Sequence, residues 1–437
     1  MSAENNSISS HQISSHQISN RQIDKTNVAE HVDENVAELE SEHEILSISE
    51  NISGNAVQNS FENGFEVEVR LTELLVALSF VTSIIEKRNV KPILSCVCFK
   101  TQGNQLNIHS TDGTLFATNS VKAKIINQGV IAVEGLILLR ILNKLKDEFI
   151  NLAYLPKSQE LKVYTPTFEL KLVTLDVKEF PEYPKLNTES IFDIQNKDLC
   201  SLIDHTSFSC SKEEIRYNIN GIYLHSSEAN DKVCAVSTDG NRLSTAEIEL
   251  KTSNQFKFIL PFKTIEFLKK LSNGKFEKFA TSVRVSHNLI EFISQNLQIV
   301  SKLVDANFPE YKNLIPNANP YELKVKHNLL LESVERIAEI TDERFRSIKM
   351  RVQKNTLEIS SYLQSKGGAK EVLSEIEYNG EEILIGLNPR YLLEILKLLK
   401  SSDEAEISIK LKNSSSSLLI TINNLPCCRF VVMPIQL

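Results

Sequence analysis

The chain has 437 residues, of which 41% are hydrophobic and 24% are charged, as is typical of a globular protein with more than one domain. No run of about 18 or more apolar residues occurs, and the N-terminus lacks the basic start and apolar core of a secretory signal, which argues against membrane insertion and export. The net charge of −8 comes from residues 1–64, which hold eleven acidic and two basic residues and leave 46 basic and 45 acidic residues for the rest.

Residues 1–64 form a low-complexity segment. The sequence of residues 10–14 is repeated in residues 15–19. Ser, Asn, Gln and Glu dominate the segment, so few of its side chains can support a hydrophobic core. We therefore predict a disordered acidic extension, with a transient helix over residues 28–46 as the alternative.

Alternating and helical patterns begin after this extension. A strand at Phe65–Val69 leads into an amphipathic helix at Leu71–Ile85. A second amphipathic helix follows at Glu134–Leu145, and turn formers such as Gly113 separate the strand patterns between the two helices. The other predicted strands of this first block are Ile93–Phe99, Leu106–Ser110, Phe116–Val121, Glu160–Tyr164 and Phe168–Leu175.

Two further blocks repeat this order of elements. The second block is predicted to contain helices Asn196–Asp204 and Pro261–Leu271 and strands Gly221–His225, Val233–Ser237, Val283–Val285 and Leu289–Ile293. The third is predicted to contain helices Asn328–Glu339 and Asn388–Leu399 and strands Ile348–Val352, Thr356–Ser361, Glu406–Leu411, Leu418–Ile422 and Arg429–Pro434. A Thr-Asp-Gly turn occurs in the first two blocks, whereas the third has a looser region at Gly367 and Gly368.

An internal repeat of constant period explains this recurrence. The amphipathic stretch Leu387–Leu399 has counterparts at Leu260–Leu271 and Val133–Leu145, each 127 positions earlier. We predict an α+β protein built from three tandem copies of one unit, with domains at residues 65–187, 188–317 and 318–437. Each unit offers two helices that can pack on one face of antiparallel strands.

The sequence contains no specific catalytic or metal-binding pattern. No phosphate-binding loop or His-Glu-x-x-His motif occurs, and the Asp residues Asp112 and Asp239 lie in Thr-Asp-Gly turns, where Asp bonds its own backbone. The seven cysteines lack metal-ligand spacing, which favours reduced thiols in a cytoplasmic protein. We therefore predict a non-enzymatic protein without a cofactor or metal.

Basic residues recur on the predicted helices. Like charges gathered on one surface repel each other unless they meet a polyanion, so the recurrence favours contact with DNA phosphates, independent of base sequence. The candidate DNA-contacting residues on the helices are Arg140, Lys144, Lys263, Lys270, Arg336, Arg390 and Lys397.

Several short motifs are similar to those of a known family. They are Lys91–Leu94, Ile215–Gly221, Ser237–Leu243, Phe308–Tyr311, Glu343–Arg346 and the terminus Phe430–Leu437. Through them, the chain from Phe65 to Leu437 resembles the bacterial DNA sliding clamp, the beta subunit of DNA polymerase III. The resemblance implies three DNA-clamp domains and a closed ring formed by a head-to-tail homodimer.

The resemblance also implies a function. The ring would encircle double-stranded DNA and confer processivity on the replicative polymerase, without catalytic activity of its own. The alternative is a clamp-fold interaction scaffold that does not encircle DNA. Arg88 matches a family residue that contacts DNA.

A partner-peptide groove between the second and third domains is a further implication of the resemblance. It would bind linear motifs of the polymerase catalytic subunit, the clamp loader and repair polymerases, with an apolar floor for Leu or Phe anchors and with Arg242 and Asn388 holding the peptide backbone. Asn241, Ile435 and Gln436 depart from the family pattern, so we expect an altered motif preference. The matching positions are Ile219, Thr238, Gly240, Asn241, Arg242, Leu243, Pro316, Asn388, Tyr391, Val431, Val432, Met433, Pro434 and Ile435.

Overall fold

The computed structural model describes residues 64–86, 90–186, 188, 190–272, 278–341, 347–365, 367–399 and 405–437. The predicted acidic extension, except Gly64, and the DNA-contact candidate Arg88 therefore lie outside the described residues. Within the described ranges, no helix is long and apolar enough to cross a membrane.

Six α-helices occur among the described residues, two in each predicted unit. They are α1 (Leu71–Thr82), α2 (Gly135–Leu142), α3 (Asn196–Thr206), α4 (Phe262–Leu268), α5 (His327–Ala338) and α6 (Pro389–Leu396). The second helices of the three units begin at residues 135, 262 and 389, a constant separation of 127 that confirms the predicted repeat. At α6, the Asn388 side chain accepts a hydrogen bond from the Arg390 amide at 3.0 Å, and Pro389 occupies the first turn, as the sequence predicted.

The strands are antiparallel throughout the described part of the chain. The first unit contains β1 (Glu66–Arg70), β2 (Cys96–Gln102), β3 (Gln105–Thr111), β4 (Leu115–Asn127), β5 (Val130–Glu134), β6 (Phe149–Leu155), β7 (Glu160–Tyr164) and β8 (Glu169–Leu175). The second contains β9 (Ser190–Gln195), β10 (Gly221–Ser226), β11 (Lys232–Thr238), β12 (Arg242–Glu249), β13 (Lys257–Pro261), β14 (Ala280–Ser286), β15 (Leu289–Ser294) and β16 (Leu297–Lys302). The third contains β17 (Tyr321–Lys326), β18 (Ile348–Gln353), β19 (Thr356–Leu363), β20 (Gly367–Leu373), β21 (Ile376–Tyr378), β22 (Ile383–Leu387), β23 (Glu406–Leu411), β24 (Leu418–Ile422) and β25 (Cys428–Val432).

Three predictions of local structure were wrong in detail. The predicted strand Ile93–Phe99 begins with a 3₁₀ turn at Pro92–Ser95, where proline fixes a helical φ and removes an amide donor. The predicted helix Pro261–Leu271 ends as α4 at Leu268 and continues as a 3₁₀ turn. Gly367 does not form a looser loop: at a φ of +92° it begins β20 and pairs with the end of β19.

Strand pairing joins neighbouring units edge to edge. A 12-stranded sheet connects the first unit to the second through β4 and β16, and a 9-stranded sheet connects the second to the third through β12 and β25. The two seams share one register: Leu115 faces Ser301 in the first, and Arg242, the counterpart of Leu115 one repeat later, faces Val432 in the second. The repeat therefore extends to the way in which the units associate.

The main hydrophobic core lies between the helices and one face of the sheets. Helix α1 packs on β3 and β4, α3 on β11 and β12, and α5 on β19 and β20. Paired strand residues point to the same face, and the core includes opposed seam residues such as Ala117 and Ile299. The helices of neighbouring units are therefore on the same face. The opposite face carries smaller apolar clusters at each seam.

Candidate partner groove and DNA-facing helices

The candidate groove begins at the Thr-Asp-Gly turn of the second unit. The Asp239 carboxylate accepts hydrogen bonds from the amides of Asn241 at 2.9 Å and Arg242 at 3.1 Å, while Gly240 adopts a φ of +90°. In the first unit, Asp112 accepts from two amides of its own turn in the same way. The predicted turn role of both aspartates is confirmed. In the second unit, this turn positions the start of β12 against the third unit.

Arg242 connects the two units at this seam. Only 7% of the residue is exposed, and its guanidinium donates to Asp239 at 3.0 Å, to the Glu394 carboxylate of α6 and to the Phe208 carbonyl. The guanidinium also lies over the Tyr391 ring at 4.4 Å, within cation–π range. Because so little of Arg242 faces solvent, its main role is to support the wall of the groove. Little of its surface is free for the expected contact with a peptide backbone.

A compact apolar cluster forms the floor. Leu243 and Val431, opposite each other across the β12–β25 seam, are both buried there. Val432, another candidate groove residue, points to the other face and belongs to the main core, because successive strand residues alternate between faces. The cluster consists of buried Val236, Leu243, Leu419 and Val431, with half-buried Tyr223, Phe308, Tyr311 and Ile315 packed against it.

The C-terminal residues form the accessible side of the site. The Met433 amide donates to the Asn241 carbonyl at 2.9 Å, so the terminus of the third unit is attached to the turn of the second. The Met433 side chain is 51% exposed, and Ile435 is fixed by a 2.8 Å bond from its amide to the Gly386 carbonyl. Gly240 and Asn241 are exposed beside them.

The remaining candidates contribute less accessible surface. Ile219 and Thr238 are buried, whereas Pro316, Asn388, Tyr391 and Pro434 are half-buried. Because the Asn388 oxygen caps α6, its amide nitrogen is the group suited to a ligand carbonyl. Three residues that sequence reasoning missed, Phe208, Glu394 and Leu419, support the wall and floor. Glu394 carried one local signal, its spacing of four residues from Arg390.

The candidate DNA-contacting side chains divide into three groups. Four are ion-paired: Lys397 with Glu335 at 2.9 Å, Arg390 with Glu394 at 2.9 Å, Arg336 with Glu332 and Glu371, and Lys263 with Glu86 and Asp112. Lys270 donates to the Ser83 carbonyl at 3.4 Å, and burial lowers its pKa. Arg140 and Lys144, by contrast, are exposed and make no ion pair within the described ranges.

Lys263 has a structural role between the first two units. It belongs to α4, and it reaches Asp112 in the turn of the first unit and Glu86 after α1. Burial alone would lower the pKa of Lys263, but its bonds to the two carboxylates outweigh burial and raise it. Lys263 therefore links the units at the first seam, as Arg242 does at the second.

Three repeated α+β units, joined edge to edge with their helices on one face, place the chain in the class of DNA sliding clamps. Family models for the DNA polymerase III beta subunit match residues 65–184 with the N-terminal domain, 193–310 with the central domain and 312–436 with the C-terminal domain. The chain belongs to the DNA polymerase III beta subunit family.

Similar proteins share the whole matched region. The beta sliding clamp of Rickettsia felis is 34% identical over 379 residues, covering 84% of this chain and 98% of that protein. The one from Caulobacter vibrioides is 30% identical, covering 85% and 100%. A solved sliding clamp from Bartonella birtlesii, bound to griselimycin, has a TM-score of 0.80 and 30% identity, and the match covers 85% of this chain and all of that one. The function is that of a replication clamp that confers processivity, and the scaffold alternative is not supported.

Proposed function

We propose that the protein acts in the cytoplasm as a non-catalytic, head-to-tail homodimeric ring around double-stranded DNA. Its groove would bind linear motifs of the replicative polymerase catalytic subunit, the clamp loader and repair polymerases. The observation that carries the ring proposal is the equal geometry of the two seams, because a third seam of the same kind would close the assembly. The domain boundaries at residues 65–187, 188–317 and 318–437 belong to the same proposal.

Two strands are suited to form that third seam. At each existing seam, β4 or β12 pairs with the last strand of the following unit, β16 or β25. Strands β4 and β12 are each the third of three consecutive antiparallel strands, β2–β3–β4 and β10–β11–β12. The remaining strands in these two roles are β20 of the third unit and β8 of the first. Among the described residues, β20 pairs with β19 alone, and β8 leaves one edge of Glu169–Val173 unpaired. Pairing β20 of one protomer with β8 of its partner would satisfy both edges.

Charges placed on these edges should dissociate the dimer. Val173 of β8 is 69% exposed and Val372 of β20 is 51% exposed. We expect Val173→Asp and Val372→Asp each to raise the dimer dissociation constant by about 100-fold, since each buries an unpaired carboxylate at the interface and so costs about 3 kcal/mol. Sedimentation velocity across a concentration series measures this change.

Ile126→Asp serves as the control, because Ile126 is an exposed apolar residue of β4, outside the two strands proposed for the interface. It should leave the sedimentation profile unchanged. If both interface variants remained dimeric at concentrations at which the parent protein does, the β8–β20 pairing would be wrong.

Encirclement is tested directly by topology. After loading onto a nicked circular duplex, the protein should remain bound through gel filtration and should leave once the circle is cut, since a ring can slide off an end. Equal retention on cut and intact DNA would contradict encirclement.

Arg140 and Lys144 are the strongest candidates for phosphate contact, because neither has an ion-pair partner among the described residues. We expect Arg140→Ala and Lys144→Ala each to weaken duplex binding for all sequences and to lower the slope of log affinity against log salt by about one. Fluorescence anisotropy over a salt series measures both effects. Lys349→Ala, on a strand face turned away from the core, should leave the slope unchanged; an equal slope in all three variants would exclude these contacts.

A further inference from the structure

A cavity of about 400 Å³ lies beneath the linker that leaves the first unit. It is on the face opposite the helices and close to the first seam, where Phe116 of β4 packs against Val300 of β16. This volume is within the usual range for small-molecule sites, roughly 300–1,000 Å³. The lining residues that matter here are Cys98, Lys100, His109, Phe116, Tyr183 and Lys185.

The repeat explains why space is left at this position. In the second unit, the Tyr223 ring stacks on Phe308 with centroids 4.9 Å apart, and His225 Nε2 bonds the Tyr311 hydroxyl at 2.9 Å. In the first unit, the strand pairing places Cys98 at the position of Tyr223 and Lys100 at the position of His225. The linker aromatics Phe180 and Tyr183 are retained. A large ring is thus replaced by a thiol while the cover above it is kept.

The substitution also leaves a phenol without its partner. The Tyr183 hydroxyl is buried and, within the described ranges, forms no hydrogen bond. Thr118, which lies close to it, is bonded to His109 Nδ1 at 2.7 Å. The imidazole that bonds the counterpart Tyr311 in the second unit therefore has no equivalent at Tyr183.

The two other polar groups in the interior of the cavity, His109 and Cys98, are neutral. Burial, assisted by the Lys100 charge, lowers the pKa of His109 to about 4, so its imidazole is uncharged at pH 7. Burial raises the pKa of Cys98 to about 12, so it remains a thiol and is a poor nucleophile. The interior therefore favours binding of an apolar ring over covalent chemistry.

The mouth of the cavity is positively charged. Lys100 and Lys185 are exposed and make no ion pair with any described residue, and Glu182 is the acidic residue that lines the site with them. The net charge of these three side chains is +1, which favours an anionic group on the ligand.

We propose that this cavity binds a small aromatic carboxylate at a site separate from the partner groove. The aromatic ring would lie against Phe116 and Cys98, in the space that Tyr223 occupies in the second unit. The carboxylate would reach Lys100 and Lys185. The site is independent of ring closure and of partner binding.

Fluorine NMR of the full chain with para-fluorophenylacetate tests the site. We expect saturable binding to the parent protein and binding about tenfold weaker for the neutral probe para-fluorotoluene, since one lost charge–charge contact of this size is about 1.4 kcal/mol. Cys98→Tyr, which recreates the filling found in the second unit, should abolish saturable binding. Lys100→Gln should weaken carboxylate binding about tenfold and leave the neutral probe unaffected.

Two controls separate the cavity from other sites. Lys349→Gln, a surface change on a third-unit strand, should bind the probe as the parent does. If Cys98→Tyr failed to fold by circular dichroism, Cys98→Leu, a smaller filling residue, replaces it. Absence of saturable binding to the parent, or unchanged affinity in both Lys100→Gln and the folded Cys98 variant, would overturn the proposal.

Discussion

We expect Arg242→Ala to produce the largest loss of stability of any single change at the seam between the second and third units. Arg242 is buried and bonded to Asp239, Glu394 and the Phe208 carbonyl, so its removal leaves the Asp239 carboxylate without this cation and Glu394 with Arg390 alone. Breaking a buried charge pair in this way costs about 3 kcal/mol, which corresponds to a fall of roughly 6–12 °C in the unfolding midpoint of units of this size. Differential scanning calorimetry measures the change.

The same variant should lose partner binding. Tyr391 stacks on the guanidinium, and the turn at Gly240 is next to it, so the groove wall loses its shape when Arg242 is absent. We expect the affinity for a fluorescent peptide from the cognate polymerase catalytic subunit to fall at least 30-fold, as for loss of a hot-spot residue worth about 2 kcal/mol.

The matched control is Arg351→Ala. Arg351 forms a 2.6 Å ion pair with Glu382 in which both side chains are about half exposed, so its removal should cost well under about 1 kcal/mol. Glu394→Gln, which keeps the shape of the side chain but removes its charge, should give an intermediate fall in midpoint. If Arg242→Ala melted within a degree or so of Arg351→Ala, the bonds at the seam would contribute little and this account of Arg242 would be wrong.

The repeat could be predicted from sequence because it depends on local patterns. The amphipathic second helices keep a constant spacing through the three units, and two aspartates mark the same turn in two units. Strand β12 was missed because its sequence is rich in polar residues and has no clear run of apolar ones. It is stabilised by β25, which lies in the third unit, close to the C-terminus. Such long-range pairing leaves no local periodicity to detect.

The candidate site likewise contains residues that the sequence could predict and residues that it could not. The resemblance predicted Leu243 and Val431, which do meet across the seam. Glu394 could not be assigned to the site in this way, because its spacing from Arg390 indicates only a local ion pair, whereas its bond to Arg242 spans 152 residues. Val432 follows Val431 in sequence and therefore lies on the opposite face of the strand, in the main core.

The second large effect is expected from the C-terminus: deletion of residues 433–437 should abolish partner-peptide binding while the fold is retained. Met433 supplies an exposed apolar side chain beside the buried floor, and its amide bonds the Asn241 carbonyl at 2.9 Å. The deletion removes that anchor surface and the contact of Ile435 with Gly386. Strand β25 ends at Val432, before the deleted residues, so the β12–β25 seam is intact. We expect peptide affinity to fall by about 100-fold or more, since an anchor contact and its surrounding wall are worth about 3 kcal/mol.

Two smaller variants divide this effect. Met433→Ala should reproduce most of the loss in fluorescence anisotropy, because it removes only the exposed anchor surface. Gln436→Ala, at an exposed position beyond the Ile435–Gly386 bond, should bind as the parent does. The melting midpoint of Met433→Ala should stay within about 2 °C of the parent value, since little buried area is lost. Unchanged peptide affinity in the deletion variant would show that partners dock elsewhere. If the deletion lost affinity but Met433→Ala did not, the effect would come from the contact with Gly386 and not from Met433.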